Sequence, residues 1–265
     1  DAVTWTVVPR NLTITTNDFV SSATANAAIA STNGLLDGQS VSALNLTGNN
    51  LSVAFGSNTL GSNYNTTLLI PAAIGSDLTV NRDLSVNGLN LTLQSDKNIH
   101  VLKTLTASGP TDKVTLNYGQ GALAAGNTAN FNFGLTGDGF AGKLNLHAGN
   151  NFSTKLGSDG TAIDYTVITE LGNEGSTTGT DLQGMNGNLA RNYALGANID
   201  AASTSAWNSN AGFDGIGSGE VAFTGRFSGL GHSITGLTIN RPTTGFVGLF
   251  DYAENATIRD VLVLN

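Results

Sequence analysis

Runs of a few residues in which apolar and polar positions alternate recur along most of this chain, each broken by Gly, Asn or Asp. Thr4–Val8 and Asn11–Thr16 open the series. Leu44–Thr47, Leu51–Phe55, Thr67–Ile70, Leu78–Val80, Leu84–Val86, Leu89–Leu93, Ile99–Leu102 and Leu105–Ala107 continue it. Val114–Tyr118, Ala129–Phe133, Lys143–Leu146 and Tyr165–Ile168 follow, with Gly134–Gly142 read as a corner or small excursion. Alternation at period two over such short spans predicts half-buried strands, and Ala27–Ala30 is read as strand despite its alanine-rich setting. The spacing is tighter than the about 8–12 residues of a sandwich, so stacked rungs are predicted instead.

Phe223–Leu264 carries the plainest repeat. Ile234, Leu237 and Ile239 return as Ile258, Val261 and Val263 at one offset of 24 residues (258−234). The expected stacking therefore sets Ile234 on Ile258 and Leu237 on Val261, because a rung that cannot bury its own inward residues buries them against the next. Gly245–Phe250 reads as a further short strand between the copies. Glycines at 229, 231, 236, 245 and 248 are expected at corners that need positive φ or close backbone approach.

Residues 166–222 change character. Thr180–Gln183 opens with N-cap residues and predicts a short helix. Asn192–Leu195 and Asn198–Asp200 return to strand, and Trp207, Phe213 and Ile216 form a plug over the side of the stack. The expected organisation is three-part: rungs over 1–165, an excursion over 166–222 and rungs again over 223–265. The fold class is all-β, a right-handed parallel β-helix with an excursion near residues 170–220.

Composition agrees with a turn-rich stack. Charged residues make up 11% of the chain, against about 25% in an ordinary domain, and 34 glycines nearly double the usual share of about 7%. Thirty-one asparagines suit left-handed corners and stacked amide ladders. The net charge of −8 and the lack of a basic stripe argue against nucleic acid. With no cysteine there are no disulfides, Cys-bearing zinc sites or thiol catalysis. No apolar run reaches the about 18 residues of a spanning helix, so no membrane insertion is expected. Asp1–Trp5 lacks a basic signal-peptide start, and both ends read as cut, so a fragment of a longer secreted protein is expected.

Asn192–Leu195, Ile199-Asp200, Trp207, Phe213, Ile216-Gly217 and Phe223–Ile234, the last ending FTGRFSGLGHSI, resemble the GLUG-type repeat of large bacterial surface proteins. Lys113–Asn127 and Asn150–Gly157, running into Asp164–Thr169, resemble filamentous-haemagglutinin-like adhesins of the two-partner secretion pathway. The resemblance covers roughly residues 110–265. It implies a right-handed parallel β-helix, export through a dedicated outer-membrane pore, and adhesion or biofilm formation at the surface of a Gram-negative bacterium. The Asn-Pro-Asn signatures of that family's secretion domain are absent, so the transporter is expected to engage another part of the parent chain. The implied partner is a host-cell receptor or polysaccharide, and the segment itself is expected to be monomeric.

Candidate chemistry is sparse. His232 sits in a GLGH corner without a paired base, and His100 and His147 make no H-x-x-x-H ligand pair. The carboxylates weighed for glycoside chemistry are Asp77, Asp83 and Asp96 on nearby rungs, and Asp200, Asp214 and Glu220 around Trp207. No sequence cluster joins them to Lys or Arg, so the chain is expected not to be an enzyme, and no cofactor or metal is assigned. Gly137–Gly139 and Ser158–Gly160 are acidic loops that match no calcium motif. Trp207, Tyr193, Phe213 and Tyr252 are the candidate aromatic platform for sugar rings, although the tendency of large aromatics to be buried favours capping of the apolar columns for Trp207 and Phe213. Seven sequons, Asn11, Asn45, Asn50, Asn65, Asn90, Asn151 and Asn255, are candidate glycosylation positions. The resemblance raises that prospect.

Overall fold

The computed structural model describes residues 10–16, 29–33, 41–47, 50–55, 64–72, 74–86, 88–121 and 126–265. The predicted strand Thr4–Val8 lies outside them. The described residues form an all-β chain whose sheets are dominated by parallel pairs. Their helical segments are three short 3-10 turns. The chain divides into two compact units. One holds the described residues of Asp1–His100 with Thr106–Phe131 and Thr154–Thr161; the other holds Val101–Leu105, Asn132–Ser153 and Ala162–Asn265.

In the first unit, strands Tyr64–Pro71, Asn90–Gln94 and Lys113–Tyr118 pair in parallel, in register, at a step of 23 residues (67 to 90, 90 to 113). That register stacks Leu68, Leu91 and Val114 in one column and Ile70, Leu93 and Leu116 in another, all at most 1% exposed. Each such side chain contributes roughly 1.5–3 kcal/mol by leaving water, so the columns are the main adhesive of the unit. Further backbone bonds tie successive turns, among them Leu78 N–H donating to the Asn98 carbonyl and Val86 N–H to that of Thr106. Buried Asp112 fixes a corner, its carboxylate accepting from Leu89 N–H and Gly109 N–H.

The amino-terminal part departs from the expected rungs. Val41–Thr47 pairs antiparallel with Asn50–Phe55, and Arg10–Thr16 pairs antiparallel with Ile29–Asn33 while also lying parallel to Tyr64–Pro71. The first of these could not be parallel: only Gly48-Asn49 separates its strands in the sequence, and a parallel crossover needs about a dozen residues.

In the second unit, Ile163–Ile168, Tyr193–Leu195, Arg226–Ser228 and Thr257–Arg259 form one parallel ladder. Ile199-Asp200, Ser233–Thr235 and Leu262–Leu264 form a second. The register corrects the expected stacking. Ile258 pairs with Phe227, a step of 31 residues, and Val263 with Ile234, a step of 29. Ile234 does not lie on Ile258. Between the two ladders the earlier rung spends four residues, Gly229–His232, where the next spends two, Asp260-Val261, and this slip hides the true period.

Gly245–Phe250 is bend and irregular chain, not a strand, with Phe246 and Val247 exposed. Only its end is paired, through the bridge Ile216–Phe250. Among the expected corner glycines, Gly231 has φ +83°, and a Cβ there would stand 2.3 Å from the Gly142 carbonyl oxygen. Gly245 has neither a positive φ nor a neighbour within 4 Å, so the corner requirement does not apply to it. The Gly134–Gly142 excursion is a two-stranded antiparallel hairpin, Leu135-Thr136 with Gly139-Phe140. The predicted helix start at Thr180–Gln183 leads into a 3-10 turn, Gln183–Gly187.

Candidate functional site

The site grows from one buried carboxylate. Asp181 accepts from Ser176 Oγ at 2.8 Å, Thr178 Oγ1 at 2.6 Å and Gly184 N at 2.6 Å. This cage fixes the Gln183–Gly187 turn, which reaches across to residues 214–217. The Gln183 amide donates to the Asp214 carbonyl at 2.9 Å and accepts from its N–H at 3.1 Å. Asn186 does the same one step on, donating to the Gly215 carbonyl and accepting from Gly217 N–H. Two side-chain amides thus stand in for a missing strand. On the other side, Ile216 N–H donates to the Leu249 carbonyl and Asp251 N–H to that of Ile216.

A cleft of about 390 Å³ opens over these segments, lined among others by Ser176, Thr177, Asp214, Ser218, Val221 and Asp251. Asp214 pairs with Arg241 at 3.1 Å, while Arg241 Nε is buried without a partner. Burial holds the Asp251 carboxyl above its usual range; the Gly248 N–H opposes this, the Asp214 charge adds to it and Arg241 opposes it. Gly215 makes the space: a Cβ there would meet Asp251 Oδ1 at 2.0 Å. Beside the Ser218–Val221 turn, the exposed Phe246 ring lies 4.0 Å from where a Cβ of Gly219 would be, and 6.2 Å (centroids) from the ring of half-buried Tyr252.

The four-member aromatic platform does not form. Tyr193 and Phe213 are fully buried and Trp207 is 9% exposed, stacked on Phe213 at 6.4 Å. They seal the apolar core with Ile216, Phe223 and Phe227, because large rings contribute most when fully desolvated. Tyr193 also donates its hydroxyl to the Asn188 carbonyl, and burial raises its pKa. Of the platform only Tyr252 reaches the surface, and its ring partner is Phe246, a residue that sequence reasoning placed in a strand.

The carboxylates separate likewise. Asp214 lines the cleft. Asp200 accepts from Ala202 N–H at the start of a 3-10 turn, and exposed Glu220 lies on the turn closed by Ser218. Asp77 and Asp96 are corner residues of the first unit, accepting from Asn98 and from Gly75 N–H. The Asn98 N–H holds Asp77 below its usual range, with His100 Nε2 3.3 Å away. His147 bonds its neighbour Ala148, and His232 is buried between the Leu144 carbonyl and Asn198. Asp138 sits in the turn of the 135–140 hairpin.

Among the sequons, Asn151 is corrected as an attachment point. It is 3% exposed and its Nδ2 donates to the His147 carbonyl at 2.7 Å, so the nitrogen that would carry sugar is committed. Asn255 is exposed at φ +52°, and Asn90 is half-buried on its strand. Asn11, Asn45, Asn50 and Asn65 lie on strands of the first unit.

No family model matches this chain, and no solved structure matches it. A 92-residue stretch is 40% identical to part of Halomucin from Haloquadratum walsbyi, covering 32% of this chain and 1% of that protein. The matched stretch is thus a small piece of a protein thousands of residues long. Among the described residues no helix is long and apolar enough to cross a membrane.

Proposed function

We propose that this chain is an internal stretch of a large secreted surface adhesin, folded as a right-handed parallel β-helix, that attaches to host or matrix glycans. The observation that carries this reading is the stack of parallel, in-register strands, in which Leu68, Leu91 and Val114, and Ile70, Leu93 and Leu116, form buried apolar columns of the kind that joins successive rungs of a solenoid. The match to a small fraction of a very long protein supports the same picture. Right-handedness follows from the strong preference of parallel crossovers. The resemblance to two-partner-secretion adhesins supplies export to a Gram-negative surface and a transporter that engages the parent chain elsewhere.

A carbohydrate-active enzyme is the second reading, favoured by one observation: Asp251, its carboxyl raised by burial, lines the same cleft as Asp214. A glycan array on the purified chain, with product analysis of any bound polysaccharide, separates them. Retained, intact glycan supports the adhesin. Shortened or unsaturated products overturn it in favour of the enzyme. Neither binding nor cleavage leaves a structural shaft.

A further inference from the structure

We propose that the cleft between the Gln183–Gly187 turn and Asp251, with the exposed Phe246 beside its Ser218–Val221 wall, binds a neutral sugar residue of a glycan. This rests on the adhesin reading and gives it a site. Three features of the cleft select that ligand class.

The first is size. About 390 Å³ is at the small end of the roughly 300–1,000 Å³ of ligand pockets, room for a mono- or disaccharide unit rather than a peptide segment. The second is the polar lining. Asp214 and Asp251 present acceptor oxygens, and Thr177 and Ser218 add hydroxyls, a set that matches neighbouring hydroxyls on a sugar ring. The cleft lining itself contains no Lys or Arg, and Arg241 is engaged by Asp214. Uronate and sulfate groups would meet two carboxylates there, so like-charge repulsion excludes acidic glycans.

The third lies beside the cleft. Phe246 is 59% exposed, an unusual placement for a phenyl ring, and it packs by the Ser218–Val221 turn, whose end residues line the cleft. A glycan running from the cleft over this turn would lay a C–H face on that ring while its seated sugar donates hydroxyls to the carboxylates.

The test uses the full chain against immobilised neutral, uronate-bearing and sulfated oligosaccharides, followed by calorimetric titration of soluble neutral ones. Phe246→Ala removes the exposed ring. Asp251→Asn removes the charge but keeps an oxygen for the Gly248 N–H. Circular dichroism and denaturation midpoints show that both variants fold. The expected result is binding of neutral glycans by the wild type, weakened about tenfold or more by each variant. Neutral-glycan binding unchanged in both variants overturns the cleft as the site and leaves the adhesin reading standing. Retention of acidic glycans alone overturns the assigned ligand class. Retention of no glycan overturns the site and glycan attachment together.

Discussion

Gln183 and Asp214, 31 residues apart in the chain, are joined by two hydrogen bonds of opposite sense, so one side-chain amide satisfies both backbone groups of the other residue. Gln183 is 1% exposed, so its amide depends on these two bonds for partners. Gln183→Ala should cost about 1–3 kcal/mol, the penalty of stranding polar groups whose partner is removed. A shift of the urea midpoint to lower concentration measures it. An unchanged midpoint would mean the amide bridge is dispensable.

His232 makes stability depend on pH. Burial pulls its pKa from 6.5 to about 4; the hydrogen bond to the Leu144 carbonyl opposes this and the Lys143 charge adds to it. The unfolded chain therefore binds a proton near pH 6.5 that the folded chain refuses until about pH 4. The contribution is complete above pH 6.5 and is lost as pH falls towards 4, about 3 kcal/mol in all. Asp251 and Asp260, raised chiefly by burial, act in the opposite sense: their share is present at low pH and lost as pH rises through their folded values. Subtracting the stability profile of His232→Gln from that of the wild type isolates the histidine. The difference should shrink between pH 6.5 and 4, and parallel profiles would deny His232 this role.

Two glycines separate corner geometry from composition. Gly231→Ala forces a Cβ into positive φ and onto the Gly142 carbonyl oxygen, and should cost more than about 1–3 kcal/mol, the strain term alone. Gly245→Ala has open space and an ordinary φ, and should stay within about 0.5 kcal/mol of the wild type. Thermal melts of the pair check both.

The register has its own test. Phe227→Ala, in the core, should cost about 3–5 kcal/mol, and Ile258→Ala, 42% exposed, far less. A double-mutant cycle between Phe227 and Ile258 should return at least about 0.5 kcal/mol of coupling, and one between Ile234 and Ile258 close to none. The reverse outcome would restore the 24-residue register.

The strands were legible because alternation at period two is a local property: Leu78–Val80 and Lys143–Leu146 fall where the apolar pattern puts them. The stacking of Phe227 on Ile258 was not, because register depends on how many residues each corner consumes, and the shared apolar spacing of 234–239 and 258–263 offered a false match. The antiparallel pair around Gly48-Asn49 was readable in principle from its two-residue connection. At the cleft and beside it, Asp214 and Tyr252 were within reach of the sequence. For Trp207 and Phe213 the structure gives the apolar-capping role that the burial tendency of large aromatics favoured, while Tyr193, read only as platform, is buried in the same core. Gln183, Asn186 and Asp251 gave no signal, since their roles arise from contacts some 30 residues away.

The four-residue corner at Gly229–His232 and the two-residue one at Asp260-Val261 connect the same two ladders. A corner can therefore differ by two residues while the ladders on either side keep their parallel pairing, whereas a single residue gained inside a strand would turn every inward side chain out. Evolution can lengthen, trim or decorate such a chain at its bends while the columns stay fixed. Kinship between chains of this kind is then carried by the order of inward residues rather than by any constant spacing.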